Sequence, residues 1–173
     1  MVCYEEMRMS NHDQLALVRQ RHIHLMQLTL DTLGHVLSDV TQAQATTFRD
    51  GPDGWTVVEV LCHLRDYDQI FLERAIMMRD GDFPLLPIYD HEAMVIERNY
   101  NSNDLRTVYA ALQESRPRFI AFFQALTPEQ WEKAGTHPER GYFSLTDAAM
   151  QVGIHDVTHL EQITRILLQA KGQ

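Results

Sequence analysis

The residues with the clearest potential for chemistry are histidines. The stretch Gly153-Ile154-His155-Asp156-Val157-Thr158-His159 sets two of them four apart, with Glu161 close behind. On a helix, side chains four apart stand about 5–6 Å from each other at Cβ. That suits two imidazoles converging on one metal ion at about 2.0–2.1 Å each. Ala148, Val152, His155, His159, Ile163 and Ile166 step by three and four, so the histidines interrupt an apolar stripe and do not lie on the wet face. A lone HxxxH is more often an ordinary helix with two hydrogen-bonded histidines. A second segment shifts the balance. Val60, His63, Tyr67 and Ile70 step in the same way, which turns His63 inward as well. Facing side chains from different helices of a bundle build metal sites in its core. Three histidines from two helices would leave a position for water or substrate, as catalytic zinc sites do.

Carboxylates accompany the histidines. Asp66 lies three past His63, and Asp156 follows His155. Each is a candidate to orient a ligand or shuttle a proton, or else a surface aspartate in a local ion pair. Gln162 could bond a ligand or simply pack. Tyr67 could donate to substrate or line the bundle. His137 could approach the pocket mouth or only cap and solvate its loop. His22 and His24 are undecided, His12, His35 and His91 read as surface residues, and the eight methionines read as core filler.

Several other chemistries are excluded. A ferritin-like di-iron centre needs Glu-x-x-His on two helices, but Glu59 and His63 are four apart and neither late histidine has a glutamate three before it. His91-Glu92 begins like a zinc-protease helix, yet position 95 is Val95. No GxGxxG, P-loop or GxSxG occurs. Cys62 adjoins His63, but helix neighbours point about 100° apart, so a shared metal does not follow.

The elements that must hold these residues read as helices. A first pattern runs from about residue 13 to 40, with Leu15, Val18, Leu25, Thr29, Leu33, Val36 and Val40 as its inward stripe. A polar connection ends in DGPDGW. Thr56-Val57-Val58-Glu59 is a capping box that opens a helix to about Arg79. DGDFPLLPIYD breaks it, and LLPIY could pass for a short strand without an obvious partner. A short helix fits His91 to Arg98. Ser102 or Asn103 can cap a third long helix, in which Pro117 predicts a bend or a break. Thr127 starts another short helix with Pro128 in the favoured first position. The loop AGTHPERGYF follows, and Ser144 to Asp147 caps a final helix reaching almost to Lys171. The expectation is an all-α four-helix bundle with long connections and short extra helices. Residues 1–12 form a tail and residues 13–171 a single domain.

Composition bounds the setting. A chain of 173 residues with 45% hydrophobic content supports one self-sufficient core. The formal charge of −9 disfavours nucleic acid and anionic membranes as partners. Two cysteines, Cys3 and Cys62, suggest no disulfide framework and a reducing compartment. The N-terminus MVCYEEMRMS has no apolar run, and no window nears the ~18 apolar residues of a membrane span. The reading is a soluble cytoplasmic protein.

Two segments resemble the DinB/YfiT superfamily. Trp55 through Asp66 (WTVVEVLCHLRD) resembles its tryptophan, capped helix and HLxD. Thr136 through Ile163 resembles its HPE-x-G loop followed by HDxxHLxQI. Combined with the helix order, the resemblance covers nearly the whole chain. It implies a DinB-like bundle, often a homodimer, with a three-histidine site that falls on His63, His155 and His159. It also implies a divalent metal (zinc, nickel or iron) and activity as a metal-dependent hydrolase or a transferase of a low-molecular-weight thiol. Which of water or thiol is the nucleophile stays open, and so does a non-catalytic helical module that binds a small ligand or partner around a structural metal or none.

Overall fold

The computed structural model describes residues 10–171, with side chains to residue 170. Four long helices dominate: α1 (Asn11–Leu37), α3 (Val57–Asp80), α5 (Leu105–Gln124) and α7 (Leu145–Lys171). Short helices α2 (Gln42–Thr47), α4 (His91–Glu97) and α6 (Pro128–Trp131) sit in the connections, with a 3-10 turn at Tyr100–Ser102. The long helices start where side chains satisfy free backbone donors. Thr56 and Glu59 bond each other's backbone at the head of α3. Thr127 with Gln130, and Ser144 with Asp147, do the same for α6 and α7.

The helices form a ring in which α1 packs on α5 and α7, and α3 packs on the same two. Thus α1 lies diagonal to α3, and α5 to α7. The long connections permit this; an up-down-up-down chain with short loops would make sequence neighbours adjacent. The apolar sides meet in two clusters. One is built around Leu33, Leu61, Leu64 and Leu112. The other is built around Met26, Met78, Phe119 and Phe123. Gly153 lets α7 approach α1 closely, since a Cβ there would stand 3.0 Å from Leu25 Cδ2.

Several sequence expectations need correction. The first helix ends at Leu37 and not at Val40, because Arg106 takes the carbonyls of Leu37, Ser38 and Val40. Its buried face is Arg19, Met26, Thr29, Leu30, Leu33 and Leu37, so Leu15, Val18, Leu25 and Val36 flank the inward line. The polar connection contains α2, capped by Thr41 and Gln44. Asp104, and not Ser102 or Asn103, caps α5. Pro117 leaves α5 unbroken; the proline is exposed, so water can take the carbonyl it orphans. Residues 10–12, assigned to a tail, are the N-cap and first residues of α1. Cys3 and the rest of that tail lie outside the described residues.

The expected loop AGTHPERGYF is a β-hairpin. β1 (Ala134–His137) pairs antiparallel with β2 (Gly141–Ser144), with His137 opposite Gly141. Gly141 sits at φ +74, where a side chain would be strained. Leu85, in the stretch read as a lone strand, makes a single parallel bridge to Thr136. The hairpin is thereby fastened to the segment after α3, and both border the histidines.

Candidate metal centre

α3 and α7 deliver the three histidines to one point. One nitrogen from each of His63, His155 and His159 lies within 4.8 Å of the others. His63 Nε2 is 2.9 Å from His155 Nε2. The ring of His159 stands 4.7 Å from that of His63 and 4.5 Å from that of His155, both edge-on. The convergence follows from the register of the two stripes, each histidine occupying a core position of its helix.

The electrostatics favour neutral rings. Burial pushes the pKa of His63 far below the usual histidine value, and the charges of His155 and His159 would push it further. Burial and the neighbouring His155 lower His159 to about 4. Neutral imidazoles are the form that offers lone pairs to a cation. His159 Nδ1 meets Gln162 Oε1 at 2.8 Å; the amide oxygen can only accept, so Nδ1 carries the proton and Nε2 is left as the donor atom. Gln162 in turn donates to Asp50 at 3.1 Å, which Arg165 holds. His155 Nδ1 is buried without a hydrogen-bond partner, and Asp156 Oδ1 lies 3.7 Å from it. Three imidazoles with open lone pairs fit a borderline divalent ion such as zinc, nickel or iron.

The two candidate carboxylates fare differently. Asp156 is 2% exposed and is gripped by Arg116 and by Thr29 Oγ1 at 3.0 Å. Burial drives its carboxyl up, but Arg116 and His155 outweigh this and hold it below the usual range. It therefore stands as a fixed negative charge beside His155. Asp66 is turned elsewhere: Arg65 Nε (2.7 Å), Arg98 Nη1 (2.6 Å) and the Tyr100 hydroxyl (2.6 Å) all donate to it. It does not line the cavity of the histidines. Asp66 anchors α3 to the 3-10 turn, and a proton-shuttle role has no geometric basis.

That cavity measures about 490 Å³ and opens over the histidines. Trp55 lies parallel to His159 with centroids 6.3 Å apart, and its Nε1 donates to Glu92 at 3.2 Å. Tyr67 packs on His63 at 4.1 Å and on His155 at 5.5 Å. His91, read as a surface residue, is exposed yet lines the cavity, as do Arg74 and Arg140. His137 also lines it and is buried. His12 and His35 are exposed. His22 and His24 lie on α1, away from the cavity lining. Cys62 is buried against the Tyr100 carbonyl, and burial pushes its thiol up to about 12, which leaves it unreactive.

Sequence reasoning missed Arg116 and Asp68. Arg116, from α5, reaches Asp68 at 2.8 Å, Asp156 and the Met26 carbonyl at 3.0 Å. Its place in the row Val108, Leu112, Arg116, Phe119, Phe123 was the available signal. Asp50 and Arg165, far apart in sequence, left none.

A bundle of this topology with a three-histidine cavity defines a class of helical protein built around a candidate metal centre. The chain belongs to the DinB superfamily, whose profile matches residues 25–163. Among relatives, it is 24% identical over 152 residues to a Bacillus subtilis protein named "Putative metal-dependent hydrolase YfiT", covering 85% of this chain and 84% of that one. A like-named protein of Oceanobacillus iheyensis is 27% identical over 124 residues, covering 70% and 69%. The solved structure of the Bacillus subtilis YfiT superposes with a TM-score of 0.82 at 22% identity, covering 95% of this chain and 91% of that one. A mycothiol-dependent maleylpyruvate isomerase superposes with a TM-score of 0.70 at 14% identity, covering 84% of this chain and 60% of that one. At such identities these structures establish the fold, a mostly helical YfiT-like bundle. Among the described residues, no helix is long and apolar enough to cross a membrane.

Proposed function

We propose that the protein is a divalent-metal-dependent enzyme acting on a small molecule, with His63, His155 and His159 as the metal ligands. The observation that carries this reading is the meeting of three imidazoles in an open cavity of about 490 Å³. A structural site would be closed by a fourth protein ligand; no fourth His, Cys, Asp or Glu joins the cluster among the described residues. A divalent ion supplies Lewis-acid activation of a water or a thiol at neutral pH. The protein's residues do the rest. Gln162 fixes which nitrogen of His159 faces the centre. Asp156, itself fixed by Arg116, holds a negative charge beside His155. Burial raises the pKa of Tyr67, which keeps the phenol protonated and able to donate to a substrate oxygen. Trp55 walls one side and limits water.

The names of the relatives support hydrolysis, and the isomerase fold-neighbour keeps a low-molecular-weight thiol as co-substrate within the proposal. We also propose a cytoplasmic homodimer. Ile154, Val157 and Leu168 are exposed apolar residues of α7 that self-association would cover. The test is a panel of ester, amide and thiol-conjugation substrates given to protein loaded with zinc, nickel or iron. Metal-dependent turnover that disappears in the His155→Ala/His159→Ala variant is the expected result. Stoichiometric metal with every substrate silent would favour a non-catalytic binding module.

A further inference from the structure

The wall of the cavity away from the histidines carries a buried arginine that makes no ion pair with a carboxylate among the described residues. α3 lays His63, Tyr67, Phe71 and Arg74 along one stripe, and all four line the cavity. From His63 to Arg74 the helix advances about 16 Å, and the arginine side chain leans back toward the histidines. Arg74 is 7% exposed. Its Nε and Nη2 both donate to the Pro87 carbonyl, at 3.2 and 2.5 Å, and its guanidinium lies 5.4 Å from the Tyr89 ring centre. These contacts fix the group in place without cancelling its charge. Nη1 makes no hydrogen bond among the described residues, so the Nη1–Nη2 edge is left to the cavity.

Two more donors stand on the same wall. His137 is 5% exposed. Its Nδ1 accepts from the Glu139 backbone N–H at 3.3 Å, so the neutral ring carries its proton on Nε2. Arg140 reaches over the cavity from the hairpin turn, and Gln151 accepts from both its terminal nitrogens at 3.2 Å once the amide oxygen is turned toward them. Glu139, exposed on that turn, forms no ion pair with Arg74 or Arg140 among the described residues. Burying an unpaired charge is costly, and a ligand that supplies the counter-charge would offset that cost. In keeping with this, burial lowers the pKa of Arg74; Tyr67, Tyr89 and Glu139 offset part of that, and Arg140 adds to it.

We propose that Arg74, with His137 and Arg140, forms a subsite for a substrate carboxylate, so that the histidine centre acts on a small carboxylic acid held by its far end. This rests on the reading of the histidines as the reacting centre. A planar monoanion matches the open edge of one guanidinium, where two parallel N–H groups can grip two oxygens. Asp53, Glu92 and Glu139 also line the cavity, and they would oppose the second charge of a phosphate ester.

The experiment is calorimetric titration of the full chain, stripped of metal by a chelator, with pentanoate, pentanamide and pentyl phosphate. Stripping separates this proposal from the metal reading, which metal content tests on its own. Pentanoate is expected to bind about tenfold or more tighter than pentanamide, the span of a charge-assisted hydrogen bond. Arg74→Gln should remove that preference and leave pentanamide unchanged, while Arg74→Lys keeps part of it. Because Arg74 also holds Pro87, Arg74→Gln could fail to fold; the acid-against-amide comparison on the unaltered chain, and a loss of about threefold or more in Arg140→Gln, then decide. Equal affinity for acid and amide, or no binding of either, overturns the subsite. Tighter binding of pentyl phosphate overturns the assignment to a carboxylate.

Discussion

Two polar clusters lie side by side inside this bundle, and they are built on opposite principles. Around Arg116, every strong group has its partner: Asp68, Asp156, Thr29, Ser115 and the Met26 carbonyl close on one another. Around His63, His155 and His159 the ring nitrogens converge beside a cavity, and burial holds His63 and His159 neutral. A buried charge network that satisfies itself can only position what it touches. A buried set of lone pairs open to solvent has work left to do. The clusters meet at one step of chain, where His155 belongs to the open set and Asp156 to the closed one.

The contrast can be broken most severely at its closed half. Arg116→Met strands two carboxylates in the core and should cost about 3–5 kcal/mol, read from urea or guanidinium unfolding. A cost under about 1 kcal/mol would mean that the cluster is wetter than its burial indicates.

Acid should separate the halves. The pKa of His159 is lowered in the folded chain, to about 4, whereas an unfolded histidine titrates near 6.5. Between those values the unfolded chain binds more protons. The contribution of His159 is therefore complete above about pH 6.5 and is lost as pH falls toward about 4, an effect on the order of 3 kcal/mol. Asp156 is held low by Arg116, so its contribution survives that window and is lost only below the usual carboxylate range. Melting temperatures taken from pH 7 to pH 4 should fall, and His159→Gln should flatten the slope. A flat profile in the unaltered chain would contradict the neutral-ring description.

Gln162→Ala sharpens the open half. It frees His159 to adopt the other tautomer, and loss of such an outer partner typically weakens metal affinity about 10–100-fold. Competition with a chromogenic chelator measures it, with stability nearly unchanged. The smallest effect belongs to Asp66. Arg98→Ala removes one exposed partner of that carboxylate and should cost about 1 kcal/mol or less, with metal affinity untouched. A shift in metal affinity would return Asp66 to the site.

The histidine cluster was legible because it obeys helical arithmetic. Three core-face imidazoles on two capped helices have few ways not to meet, and the caps at Thr56, Thr127 and Ser144 are local chemistry readable in four residues. The closed cluster was hidden for the opposite reason. Arg116 and Asp68 sit on different helices, and their pairing exists only after α5 packs on α3. The hairpin was hidden by Pro138 and Gly141, which punctuate a loop and a tight turn alike. Of the bend or break expected at Pro117, the break does not occur, the exposed ring sitting within an unbroken α5. The phase of α1 slipped in part because Arg19, polar by type, lies on its buried face.

Elemental analysis of the tag-free chain, set beside His63→Ala and His155→Ala/His159→Ala, tests the central claim most directly. A stoichiometric divalent ion in the unaltered chain, absent from both folded variants, is the predicted result. A chain that takes up no divalent ion, or variants that keep it, would contradict the assignment of these three imidazoles as the ligands.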